Sequence, residues 1–268
     1  MRRTAVATGV AAVLLLLTAC TDADPDDPAD DLVIGISGTD PGLALADGDG
    51  GYSGLEVDLA SYLARGLGWD DDDITFEMVD PAERETALAS GDVDMVVSGY
   101  AITAERDLAV DFAGPYFVAG QDLLVAEDAR TTGPRDLDGS TVCGADGSAG
   151  LAQIGEELSP GAVLRPVADT GTCVDLLLSG QVDAVTADDV VLAGYAEEHP
   201  DELRVVGSPF TTHYYGVGLP EDSPDVGAVN TLIASALADG TWQAEVDRHL
   251  GRSGYTAPLP PAPGSLAF

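Results

Sequence analysis

A seven-residue phrase occurs twice in this 268-residue chain, and no other feature constrains the fold as much. Residues 90–96 read S-G-D-V-D-M-V, and residues 179–185 read S-G-Q-V-D-A-V. Each copy follows a helix-like apolar stretch (Thr86 to Ala89; Cys173 to Leu178) and runs into an apolar, β-branched segment. A helix stopped at Gly, which accepts the left-handed backbone that closes a helix, and followed at once by a buried strand is half of a βαβ unit. Two such halves, about ninety residues apart, predict two similar α/β lobes. Past the strands the copies diverge, to Ser98-Gly99-Tyr100 in one and Ala187-Asp188-Asp189 in the other. Ligands of parallel sheets gather at C-terminal strand ends. A site is therefore expected in the cleft where these two ends meet.

Residues 1–19 read as an address rather than as part of the fold. Arg2 and Arg3 precede an apolar run, Val10 to Leu17, that is too short to span a bilayer. The run ends Leu17-Thr18-Ala19-Cys20, which resembles a bacterial lipoprotein signal. That resemblance implies an acylated Cys20 and a lipid as the only membrane anchor; an ordinary secretory signal is the alternative. Residues 20–31 are acidic and Pro-broken and read as a tether, because they hold too little apolar surface to fold. Residues 255–268 form a Pro-rich tail. The roughly 220 residues between suffice for two lobes, expected at 32–124 plus 217–254 and at 125–216.

The balance of 47 acidic against 11 basic residues gives a net charge of −36. Removal of residues 1–19 deletes two Arg and no acid, deepening it to −38. Such a surface repels nucleic acid and anionic headgroups; its bulk reads as host-wide compositional bias rather than as a site. Every basic residue is Arg. Without Lys, neither a Walker-type phosphate site nor a Schiff base can form. With Cys20 assigned to lipidation, Cys143 and Cys173 remain as an even pair in an exported chain, where a disulfide persists; two buried thiols are the alternative. His199, His213 and His249 show no metal-ligand spacing, and no cofactor is expected. Asp47-Gly48-Asp49-Gly50-Gly51 lacks the glycine a calcium loop needs next, where Tyr52 stands, and reads as a turn.

Along the chain, strands are expected at Leu32 to Ile36, Ile74 to Val79 and Val93 to Val97, with helices at Glu56 to Leu67 and Ala82 to Ser90. This alternation predicts a doubly wound sheet. Phe117 to Ala126 reads as one long strand leaving the first lobe. Strands at Thr141 to Cys143, Val163 to Val167, Val182 to Thr186 and Leu203 to Val206 build the second lobe, with helices at Ala149 to Leu158 and Thr172 to Leu178. Tyr214 to Leu219 reads as a return crossing, and Val226 to Leu237 and Trp242 to Leu250 as closing helices. Two crossings imply a hinge.

The segment after the first repeat carries a resemblance. Thr103-Ala104-Glu105-Arg106 is followed by Asp111-Phe112-Ala113-Gly114-Pro115-Tyr116. The pattern T-x-x-R then D-F-x-x-P-Y resembles the extracellular solute-binding proteins for polar amino acids that serve ABC importers. The resemblance runs from about Leu32 to Gly254 and includes G-L-E-V-D-L-A at 54–60 and D-G-T-W at 239–242. Asp40-Pro41-Gly42-Leu43, F-V-A-G-Q-D-L-L-V at 117–125 and the Cys pair are similar to actinobacterial glutamate-binding lipoproteins. The resemblance implies an α/β, two-lobed periplasmic-binding-protein-like (Venus flytrap) fold, each lobe a doubly wound sheet.

Holding a free amino acid makes definite chemical demands. An α-carboxylate wants a bidentate guanidinium and backbone N–H donors; Arg106 and the Ala101 N–H are expected to supply them. Ser148 and Ala149 open a helix in the other lobe, and their N–H groups face the same carboxylate in this reading. The ammonium is assigned to Asp188 and the Gly99 carbonyl. Tyr52 and Tyr100 are taken as cleft walls. Arg84 sits at a helix start, unfavourable for a cation, and an acidic ligand side chain would explain it. Each has a plainer role open to it: Arg106 paired with Glu105 or Asp107, Asp188 or Ser148 as helix caps, the tyrosines in the core, Arg84 paired with Glu83 or Asp80.

The resulting expectation is a monomeric, lipid-anchored, extracytoplasmic receptor that delivers glutamate or aspartate, then glutamine or asparagine, to ABC permease subunits. Hydrolase elbows, Walker loops and metal motifs are absent from the sequence, so no catalysis is expected. A sensor feeding a signalling partner, or a dehydratase-like enzyme on the same fold, are the alternatives.

Overall fold

The structure, a computed structural model, describes residues 31–266. β1 (Leu32–Ile36) leads into a small antiparallel ribbon of β2 (Thr39–Asp40), β3 (Ala44–Ala46) and β4 (Tyr52–Ser53). Asp47 closes the turn between β3 and β4, its Oδ1 accepting from the N–H groups of Asp49 and Gly51, each at 2.9 Å. α1 (Leu55–Leu67), β5 (Ile74–Met78), α2 (Arg84–Ser90), β6 (Met95–Val96) and β7 (Asp111–Ala119) follow. Then come β8 (Gln121–Ala126), β9 (Thr141–Ala145), α3 (Ala149–Gln153), β10 (Val163–Val167), α4 (Thr170–Leu178) and β11 (Ala184–Asp188). The chain continues as α5 (Asp189–Glu198), β12 (Leu203–Val205), β13 (His213–Leu219), α6 (Val226–Asp239) and α7 (Thr241–Leu250).

The strands form two five-stranded sheets of matching topology, ordered β5-β1-β6-β13-β7 and β10-β9-β11-β8-β12. In each, three parallel strands are followed on one side by an antiparallel strand, β13 or β8, and an edge strand antiparallel to that one, β7 or β12. This is the two-lobed, doubly wound architecture expected, and the repeated phrase builds it. Gly91 (φ 76°) and Gly180 (φ 70°) turn the chain out of α2 and α4 in the left-handed region. Three residues on, the Asp of each phrase performs one task twice. Asp94 Oδ2 accepts from Val33 N–H at 2.8 Å, and Asp183 Oδ2 accepts from Thr141 N–H at 2.7 Å, tying the strand to the start of its central neighbour. Gly99 and Asp188 are the equivalent positions just beyond.

Helix α1 buries one face, as periodicity demands. On α1, Leu55, Leu59, Ala60, Leu63 and Ala64 pack against β1, α6 and α7, in one core with the fully enclosed Ile34, Ile36 and Val217. Enclosing one such leucine contributes roughly 1.5–3 kcal/mol. In the second lobe Cys143 on β9 and Cys173 on α4 are joined by a disulfide and enclosed with Leu124 and Val185. Among the described residues no helix is long and apolar enough to cross a membrane.

The crossings differ from the sequence expectation. The single strand expected over Phe117 to Ala126 is two strands in different sheets, broken at Gly120. That residue has no signal in sequence beyond being Gly, yet a Cβ there would lie 2.3 Å from the Thr211 carbonyl of the return crossing. Only glycine lets the two crossings pass so closely. β13, expected as the return crossing, lies wholly in the first sheet, and the return is made by residues 206–212. The exchanges thus fall at Gly120 and before His213 rather than at 124/125 and 216/217. Beyond α7 the chain folds back on the protein: Tyr255 donates to Asp189 at 3.1 Å, and Gly264 N–H to Gly114 C=O at 2.6 Å.

Candidate functional site

A cavity of about 520 Å³ opens between the lobes at the C-terminal ends of the parallel strands, where the repeat predicts it. Gly99 and Asp188, the repeat-equivalent positions, both line it, with Asp40, Arg84, Ser98 and Arg106 from the first lobe and Gln121, Ser148 and Ala149 from the second.

On the first wall two guanidinium groups lie over one aromatic ring, Arg84 and Arg106 each 5.2 Å from the centroid of Tyr100. Tyr100 is fully buried and supports the cations from beneath, through cation–π attraction, rather than lining the cavity. Arg106 Nη1 donates to the Ala101 carbonyl at 2.8 Å, and its Nε lies 3.5 Å from Glu85. That pair is one-third exposed and contributes under about 1 kcal/mol; Glu105 and Asp107, the expected alternatives, are not its partners. Arg84 begins α2 and is 7 % exposed. Its Nη2 donates to Ser98 C=O at 2.6 Å, while its Nε and the Ser98 hydroxyl have no hydrogen-bond partner among the described residues. Among the described residues Arg84 pairs with neither Glu83 nor Asp80. Burial pushes its pKa down, opposed by the charge of Glu56.

Glu56 is the feature sequence reasoning missed. It stands in the first turn of α1, where an acid is ordinary on dipole grounds, but its side chain is 1 % exposed. Its Oε1 accepts from Gly99 N–H at 2.6 Å and from the Tyr116 hydroxyl at 2.5 Å, and Oε2 has no partner among the described residues. It thereby fixes the peptide of Gly99, held at φ 59°. Burial raises its pKa to about 7, with Tyr116 and Gly99 opposing. Asp40, on the same wall, is also pushed up by burial.

On the second wall Asp188 ends β11. Its side chain does not cap α5. It accepts instead from Gln121 Nε2 at 2.7 Å, from His213 Nδ1 at 2.9 and 3.1 Å, and from the Tyr215 hydroxyl. Burial acts to raise its pKa, but the His213, Tyr215 and Gln121 hydrogen bonds outweigh burial and hold it below the usual range. The same contact raises His213. Since β13 belongs to the first sheet, Asp188 ties the lobes together.

Ser148 caps α3, its Oγ accepting from Leu151 N–H at 3.3 Å. Its own N–H is spent on Ala145 C=O at 3.0 Å, which removes it from the expected donor pair and leaves Ala149. Tyr52 is a second correction: it packs edge-on against Phe76, 6.3 Å between centroids, and does not line the cavity. Gln121, His213 and Tyr215 were not anticipated, because each meets Asp188 only after the sheets pair. Cys20 lies outside the described residues.

Comparison with known proteins agrees with the two-lobed fold. The family profile of the bacterial extracellular solute-binding proteins, family 3, matches residues 32–252. Glutamate-binding protein GluB of Corynebacterium efficiens is 35% identical, over 99% of this chain and 96% of its own length. The ABC transporter glutamine-binding protein GlnH of Bacillus subtilis is 31% identical over 72% of this chain and 71% of its own. Among solved structures, an ancestral cationic amino acid solute binding protein superposes with TM-score 0.73 at 29% identity, covering 82% of this chain and 96% of that one.

Proposed function

The chain belongs to the bacterial extracellular solute-binding proteins of family 3, and on that premise we propose that it traps a free acidic amino acid between its lobes and presents it to an ABC importer. The observation that carries this reading is the charge layout of the cleft. In a chain with 47 acidic residues the cavity gathers two of the 11 arginines on one wall, beside an Asp40 whose carboxyl burial pushes toward its neutral form, and sets Asp188 opposite them. Glutamate and aspartate carry two carboxylates and one ammonium, which match the two arginines and Asp188. Arg106 and the Ala101 and Ala149 N–H groups take the α-carboxylate. Asp188 and the Gly99 carbonyl take the ammonium. Arg84 Nε and the Ser98 hydroxyl, both buried and unpartnered, take the side-chain carboxylate, with amide side chains second because they return no charge to Arg84. Ligand bonds to both lobes favour closure. The cleft performs no chemistry in this reading. Acylated Cys20 and the tether 20–31 hold the receptor, as a monomer, at the outer face of the membrane.

The names of GluB and GlnH support an amino-acid cargo of this size and polarity. Calorimetric titration of the protein with the twenty amino acids tests the reading. One-site binding of glutamate or aspartate is expected, abolished in Arg106→Ala. Arg84→Met is expected to lower glutamate affinity about 100-fold, the worth of one buried charge-assisted pair, and glutamine affinity by less than about tenfold. Equal losses for both would remove Arg84 as the selecting residue. No binding by any amino acid would overturn the proposal.

A further inference from the structure

His213 has no part in the roles just assigned, yet its Nδ1 reaches both oxygens of Asp188, at 2.9 and 3.1 Å. With Gln121 on Oδ1 and Tyr215 on Oδ2, the lone pairs of that carboxylate are largely taken. A ligand ammonium must therefore replace a donor. Tyr215 is 2 % exposed and stacks on Phe117, 6.1 Å between centroids. Gln121 is held from behind by the Thr186 hydroxyl at 3.3 Å. His213, at the start of β13, has a side chain 34 % exposed and is the one of these three donors that borders both the cavity and the depression beside Arg106. Resting on the amino-acid reading, the geometry points to competition between the His213 imidazolium and the ligand ammonium for the Asp188 carboxylate, so that capture releases one proton. The imidazolium gives that proton to solvent and turns out as neutral imidazole; the ammonium keeps its own.

The surroundings set the sign. Asp188 at the end of β11 and Asp189 on α5 favour the imidazolium; Arg106 opposes it. Glu85 on α2 and Glu105 border the same depression, while Gln121 and Tyr215 are neutral donors to Asp188. The hydrogen bond to Asp188 dominates and places the His213 titration above the ordinary 6.5. Once an ammonium occupies Asp188, that support is gone and the proton leaves. Affinity then falls as pH drops through the His213 titration, approaching tenfold per pH unit for one linked proton. Glu56 acts with the opposite sign, because its protonation leaves Arg84 less compensated.

The experiment is calorimetric titration of the protein with L-glutamate, and with any other amino acid that binds at pH 8, from pH 5.5 to 8.5 in phosphate and in Tris. Expected are a Kd that weakens below neutrality and a buffer-dependent heat corresponding to release of up to one proton. In His213→Gln, which still donates to Asp188 but does not titrate, both are expected to vanish while binding at pH 8 persists. A flat wild-type profile, or a slope and proton release retained in His213→Gln, overturns the inference and leaves the receptor reading standing. Absence of binding by any amino acid at every pH overturns both.

Discussion

Glu56→Gln should change how stability depends on pH. The buried carboxyl has a pKa of about 7 in the folded protein against an ordinary 4.5. Between these values the folded state holds a proton that the unfolded chain has released, so stability falls as pH rises through the window. The group costs nothing below pH 4.5 and its full amount above 7. Each pKa unit is 1.36 kcal/mol, so the cost at pH 8 is about 3 kcal/mol. Gln keeps an oxygen for Gly99 N–H and the Tyr116 hydroxyl but does not titrate. Urea unfolding of both proteins at pH 4, 5, 6, 7 and 8 reads the difference at each pH, so repulsion among the many surface acids cancels. The variant should gain about 3 kcal/mol relative to the parent between pH 4 and pH 8, mostly between 5 and 7. Parallel curves, within about 0.5 kcal/mol, would refute the assignment of a buried proton to Glu56.

Two further outcomes follow from packing. Replacing Cys143 and Cys173 by Ser should destabilise the second lobe by roughly 3.5–4 kcal/mol, the loop-entropy worth of a thirty-residue separation, seen as a lower thermal midpoint that matches the reduced parent. Gly120→Ala puts a Cβ against the Thr211 carbonyl and should cost about 1–3 kcal/mol as an overpacked contact. Gly180→Ala, which meets nothing within 4 Å, should cost only the left-handed strain, about 1 kcal/mol. A loss at Gly120 under about 1 kcal/mol would contradict the steric account of the crossing.

What this chain's sequence determined by itself is local. Helix stops at Gly91 and Gly180 and the apolar periods of the helices rest on interactions within a few residues, and they carry the two-lobed α/β architecture and the location of the cleft. The repeat even anticipates that Gly99 and Asp188 occupy equivalent strand ends. Tertiary structure alone decided which groups surround those ends. Glu56 meets Gly99 across 43 residues, Gln121 meets Asp188 across 67, and His213 meets Asp188 across 25. The break at Gly120 exists because a distant carbonyl, Thr211, passes beside it. An acid in a first helical turn looks the same in sequence whether it faces water or is sealed in a core, because burial belongs to the packed fold and not to the residue. Its proton affinity, and that of His213, follows from that packing.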